Sequence, residues 1–153
     1  MTGAAYNRGK SRQDYETPDD LIVAVERRFG PIVRDLAADR HNTKALVFFD
    51  EEQNSLAQPW ADVEGLQWLN PPFGHLEPWA RKLSFAAMAG ARIALLVPAA
   101  MGANWYAKWI HNQALVLGLH PKPSFDGKHA YPKDVILAVT GEPVGFEPWR
   151  WKL

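Results

Sequence analysis

Asn70, Pro71, Pro72 and Phe73 follow one another where the apolar run LQWL stops. Each proline fixes φ, lacks an N–H and restricts the residue before it, so the chain leaves that run stiff and extended. Asn70 is thereby pinned. Its side-chain carbonyl and the Pro71 main-chain carbonyl can both face a cavity as acceptors. Phe73 adds a flat apolar face on which a ring can stack. Two acceptors beside a stacking surface suit a planar base with an exocyclic amine. Such an amine is a poor nucleophile because its lone pair is delocalised into the ring. Accepting both N–H bonds favours a pyramidal nitrogen with a localised pair, which can attack a positioned electrophile in line. Catalysis then comes from orientation and preorganised dipoles, without a covalent intermediate. The same four residues admit a plainer reading, in which Asn-Pro-Pro ends a strand and Phe73 packs in the core.

The flanking pattern decides what could position these groups. "LQWLN" reads as a strand, and Pro78 suits the first turn of a following helix that carries Trp79, Leu83, Ala86 and Ala87 on one side before Gly90. Upstream, "TPDDLIVAVERRFG" predicts an amphipathic helix. Thr17 is placed to cap it, Pro18 to open it, Asp19 and Asp20 to favour its positive end, and Gly30 to stop it. Leu21, Val25 and Phe29 share its apolar face. "PIVRDLAA", residues 31–38, is a short strand delivering Asp35 to its C-terminal edge. "ARIALLVP" is the clearest buried strand. Asn104 is placed to cap a helix with Trp105 and Trp109, and "ALVLGL" and "DVILAV" read as two further strands. Strands alternating with helical stretches predict an α/β fold with a mostly parallel sheet and flanking helices. Ligands of such sheets gather at the carboxyl ends of the strands, where Asp35 and Asn70 both fall.

With 153 residues, 47% of them hydrophobic, the chain suits a single domain over 14–153, preceded by a flexible basic arm over 1–13 with Arg8, Lys10 and Arg12. Lys and Arg together number 17, as do Asp and Glu, so any contact with a polyanion is local rather than driven by net charge. There is no cysteine, which excludes disulfides, zinc–thiolate sites and thiol nucleophiles. Neither a signal peptide nor an 18-residue apolar run is visible, and a cytoplasmic protein without membrane partners is expected. His41, His75, His111, His120 and His129 show no metal-ligand spacing, so no metal is expected. His75 sits either at a pocket mouth or in an exposed turn. Trp105 or Tyr106 is a candidate for a pocket wall. Trp149 and Trp151 either stack on bases or pack on the domain. Lys122, Lys128 and Lys133 make a late loop basic, for phosphate contact or for solvent.

"DYETPDDL", "RDLAAD", "NSLAQPW", "WLNPPFG" with "PWARK", and "ALLVPAAMGANWY" occur in an order and spacing that resembles phage-encoded DNA N6-adenine methyltransferases of the Dam type, from about Asp14 to about Val139. The resemblance implies a compact Rossmann-like fold that transfers a methyl group from S-adenosylmethionine to adenine N6 in DNA. It assigns Asn70, Pro71, Pro72 and Phe73 to the catalytic motif, with the first two supplying acceptors to the amine and Phe73 stacking on the base. Asp35, followed by Leu36, Ala37 and Ala38, matches the cofactor segment and is implied to face the cationic methionine end. Thr17 and Pro18 match the stretch that closes the cofactor pocket, with Tyr15 just before it. The cofactor-binding set is thus Tyr15, Thr17, Pro18, Asp35, Ala37 and Asn70. The implied partner is DNA presenting a flipped adenine in a host cell's cytoplasm, read by loops 40–60 and 120–133 and by the basic arm.

This chain departs from the family at several places. Gln53 and Asn54 stand where many relatives have an acidic pair, and Ala100 and Met101 where a polar or basic residue often follows the strand; the usual glycine-rich cofactor turn is also missing, an absence the resemblance implies. Cytosine N4, RNA or a glutamine amide offers a similar planar amine. A non-catalytic nucleic-acid-binding protein of the same fold, or an interaction module with its aromatics all in the core, is the reading from another class.

Overall fold

The computed structural model describes residues 16–153. The expected basic arm, residues 1–13, and Tyr15 lie outside the described residues. Among the described residues two α-helices and six strands appear in the order α1 (Asp19–Phe29), β1 (Ile32–Asp35), β2 (Leu66–Leu69), α2 (Glu77–Met88), β3 (Arg92–Pro98), β4 (Leu115–His120), β5 (Val135–Val139) and β6 (Gly145–Arg150). They form one sheet, ordered β1-β2-β3-β5-β4-β6. The β1–β2, β2–β3 and β4–β6 pairs are parallel, whereas β5 is antiparallel to both β3 and β4. Five strands therefore share a direction and β5 alone is inverted, as the expectation of a mostly parallel α/β sheet requires.

Period-two alternation distributes each central strand between two cores. Ile93, Leu95 and Val97 of β3 face the core that contains Leu83 of α2, while Ala94 and Leu96 face the one that contains Leu21, Val25 and Phe29 of α1. All residues of β2 and β5 are buried, the composition expected of strands covered on both faces. Trp60 and Trp68, 2% and 1% exposed, fill the two cores on opposite sides. At Gly65, just before β2, φ is +100°, and a Cβ there would lie 2.9 Å from Val33 Cγ1, so only glycine lets β2 enter this close to β1.

Two local expectations need correction, and one strand falls outside them. Thr17 does not cap α1: Pro18 occupies the N-cap with no side-chain cap bond, because the Thr17 hydroxyl is engaged elsewhere. The helix expected after Asn104 is a short π-helical turn, Tyr106–Ile110, again without a side-chain cap. The wider turn seats Tyr106 and Ile110 in the core. The β6 strand was not expected from "VGFEPWR", which is largely exposed at the sheet edge; Pro148 lacks an N–H and is tolerated at such an edge. Among the described residues no helix is long and apolar enough to cross a membrane.

Candidate active site

The carboxyl ends of β1 and β2 lie side by side, with Asp35 paired to Trp68 in register. Beyond them opens a half-enclosed, solvent-connected hollow. Asp35 lines it from the end of β1 and Ala37 from just beyond, and Asn70, Pro71, Pro72 and Phe73 from the turn after β2. Thr17 and Glu16 close it from the segment before α1, Asn42 and Lys44 from the loop after β1, and Trp68 lies beneath. Of the sequence-derived residues that are described, all but Pro18 meet in one place; Pro18 is half-buried at the N-cap of α1 and outside this lining.

The amide of Asn70 has a defined orientation. Its Nδ2 donates to Thr17 Oγ1 at 2.9 Å, and Thr17 is 4% exposed. This leaves Asn70 Oδ1 without a hydrogen-bond partner among the described residues, at the wall of the hollow. The Pro71 carbonyl likewise accepts no bond among the described residues. Pro71 is buried, so the backbone that carries both acceptors is fixed by packing as well as by the proline rings.

Phe73 has neighbours on two sides. It lines the hollow, yet it also packs against the second core, edge-on to Phe125 at 6.2 Å and to Tyr131 at 6.0 Å between centroids. Phe125 and Tyr131 meet each other at 5.3 Å, so the late loop is clasped to the turn by three rings. That loop is also tied to the Thr17 segment through Glu16 N–H donating to the Phe125 carbonyl at 3.1 Å.

Asp35 is 2% exposed and held by main-chain donors: Ala37 N–H to Oδ1 at 3.1 Å and Lys44 N–H to Oδ2 at 2.9 Å. Its own N–H donates to the Val47 carbonyl and its carbonyl accepts from Phe49 N–H, so the returning loop runs beside β1 as a one-residue bridge. A buried carboxylate oriented by amides is a receptor for a cationic group.

Other candidates fall elsewhere. Trp105 borders a second, shallower hollow with Glu77, Asn104, Ala107 and Lys108, not the one containing Asn70. Tyr106 is buried, which pushes its hydroxyl pKa up. Trp109 Nε1 donates to both Glu77 carboxylate oxygens at 2.6 and 3.0 Å. His75 is exposed in the turn after the motif. Lys122 lies 3.9 Å from Asp134, and Lys128 and Lys133 face solvent. Trp149 meets Phe29 edge-on and Trp151 Nε1 donates to the Pro121 carbonyl at 2.7 Å, so both pack on the domain. Gln53 exchanges hydrogen bonds with Asp50, Asn54 adopts a left-handed φ of 53°, and neither lines the hollow. Among the described residues no three His, Asp or Glu side chains gather as a metal site.

Sequence reasoning passed over Glu16, Asn42 and Lys44. They come from an exposed end and an irregular loop, where no periodicity or motif marks a residue.

The family model for DNA N-6-adenine-methyltransferase (Dam) matches residues 6–120. A DNA N-6-adenine-methyltransferase of Escherichia phage T1 is 27% identical over 133 residues, 86% of this chain and 56% of that protein. The chain therefore spans little more than half the length of that relative. YfdM of Escherichia coli strain K12 is 35% identical over 69 residues, 42% of this chain and 71% of that protein. The crystal structure of an O-methyltransferase-type protein from Agrobacterium tumefaciens shares 24% identity over 54% of this chain and 40% of its own, at a TM-score of 0.33, a partial likeness with no bearing on activity. With most of its length matched by one family model, and with the residues of its strand-end turn gathered around a single hollow, the chain belongs to the DNA N-6-adenine-methyltransferase (Dam) family.

Proposed function

We propose that the chain transfers a methyl group from S-adenosylmethionine to N6 of adenine in DNA, with Asn70, Pro71, Pro72 and Phe73 at the base and Thr17, Asp35, Ala37 and Asn70 at the cofactor. The observation that carries this reading is that the Asn70 amide, aimed by Thr17, and the Asp35 carboxylate open on the same hollow. When bound, the cofactor supplies a methyl group made electrophilic by a sulfonium. The residues present suit it: the buried Asp35 carboxylate lines the hollow as a counter-charge to the ammonium of its amino-acid end, and Trp68, Pro71 and Pro72 give apolar walls.

On the substrate side, Asn70 Oδ1 and the Pro71 carbonyl accept the two N–H bonds of the amine, which localises its lone pair toward the hollow. Phe73 offers a ring face to the base. The methyl would leave its sulfonium as a neutral thioether when the nitrogen–carbon bond forms, and the surplus N–H proton would pass to solvent. No side chain needs to change protonation state, so rate comes from orientation and fixed dipoles. A base within a duplex cannot reach this turn, so the adenine must flip out, at a cost of a few kcal/mol.

Incubation with methyl-labelled S-adenosylmethionine and adenine-containing DNA, single- and double-stranded, should place label on N6, and Asn70→Ala should lower the rate by about 10²–10³. Nucleoside digestion separates this product from N4-methylcytosine, and an RNA arm tests the other nucleic acid. Absence of transfer together with absence of cofactor binding would refute the reading.

A further inference from the structure

We infer that Lys44 is a cofactor-binding residue, and that its ammonium takes the carboxylate of the cofactor's amino-acid end. The inference rests on the cofactor reading above and extends it to a residue that neither the motif nor the family resemblance marks.

Lys44 lines the hollow beside Asp35, and its main-chain N–H holds Asp35 Oδ2 at 2.9 Å. Its side chain is only 10% exposed, lying along the wall. Among the described residues its ammonium has one partner, Asp19 Oδ1 at 3.4 Å, and that carboxylate is 96% exposed. An ion pair with so exposed a carboxylate is weak, so among the described residues the ammonium has no strong partner. A side chain in that state gains most from an anion delivered into the hollow.

The charges of the lining define which anion. Glu16 and Asp35 are its acidic groups and Lys44 its basic one, among the described residues. The ligand proposed above carries the complementary set: a sulfonium and an ammonium, both positive, and one carboxylate. Asp35 and Lys44 sit on the same loop junction, as the ammonium and carboxylate sit on one carbon of the ligand. Asp35 alone cannot distinguish an amino acid from a simple amine; the pair can.

Calorimetry with S-adenosylmethionine and with its decarboxylated analogue, which keeps the ammonium and lacks only the carboxylate, tests the assignment. Lys44→Met, which preserves the apolar stem, should weaken S-adenosylmethionine by about 10- to 100-fold, the range of a charge-assisted hydrogen bond. It should leave the decarboxylated analogue unchanged, and Lys44→Arg should restore part of the loss. Asp19→Asn removes the existing partner and should weaken neither ligand. If Lys44 were only a clasp between the loop and α1, Asp19→Asn would mimic Lys44→Met and both ligands would suffer alike. Equal loss for the two ligands, or loss for neither, overturns the assignment while the cofactor reading stands. Failure of the unaltered protein to bind either ligand overturns both.

Discussion

Replacing Thr17 by Val tests whether the hydroxyl, rather than the bulk, of this buried side chain sets the Asn70 amide. The substitution keeps the branched shape at a position that is 4% exposed, and removes only the acceptor of the 2.9 Å bond from Asn70 Nδ2. A part-buried donor left unpaired costs about 1–3 kcal/mol. That penalty falls on the orientation in which Oδ1 faces the amine, and the amide can escape it by rotating, which presents Nδ2 instead. At about 1.4 kcal/mol per decade, kcat should fall by about 5- to 150-fold, within the loss for Asn70→Ala. In setting the amide Thr17 acts through Asn70 as a positioning residue, and saturating cofactor separates this from its own place at the cofactor. The double variant Thr17→Val/Asn70→Ala should be no slower than Asn70→Ala alone. Initial rates at saturating cofactor give kcat, a titration of DNA gives KM, and a thermal melt checks folding. Thr17→Ser, which keeps the hydroxyl, should restore most of the rate. A Thr17→Val variant that turns over like the unaltered protein, or a double variant in which the two losses multiply, refutes the coupling.

Two further outcomes concern stability. Trp60 is 2% exposed, stacks on Trp79 at 6.1 Å and donates through Nε1 to both the Ser55 carbonyl and Oγ at 3.1 Å. Trp60→Ala should cost about 3–5 kcal/mol in urea unfolding, and a loss below about 1 kcal/mol would contradict its place in the core. In the late loop, His129 N–H and Lys128 N–H both donate to Asp126, holding its carboxyl well below the ordinary value of 3.8. A depressed folded pKa stabilises above the unfolded value and loses that contribution as pH falls through the folded one. The destabilisation caused by Asp126→Asn should therefore be largest near neutral pH and shrink as pH drops below about 4, and a difference that grows on acidification would reverse the sign.

The parts of this site that were legible in the sequence share one property: an apolar run ending in a polar residue. "PIVRD" and "LQWLN" both place their last side chain at the carboxyl edge, because a strand buried on two faces must change composition where it leaves the sheet. Thr17 lines the hollow, but local rules assign its hydroxyl to the wrong bond. Capping chemistry looks only at the next three residues, whereas its oxygen serves an amide 53 positions away. The π-helical turn after Asn104 lay beyond such rules for a related reason, since the seating of Tyr106 and Ile110 in the core settles its winding. Lys44 sends no signal at all. A lysine in an irregular stretch looks like any solvated charge until the loop's return along β1 is known.

That return has a lasting consequence for how the molecule can vary. Asp35 is gripped through amide groups at Ala37 and Lys44, and its strand is flanked by the main chain of Val47 and Phe49. Such a grip is blind to side-chain identity but acutely sensitive to chain length. Leu46 and Val47 already point outward, so the tip of this loop is free to drift in composition, while a single inserted or deleted residue between positions 36 and 49 would shift the amides out of step and unseat the acid they hold.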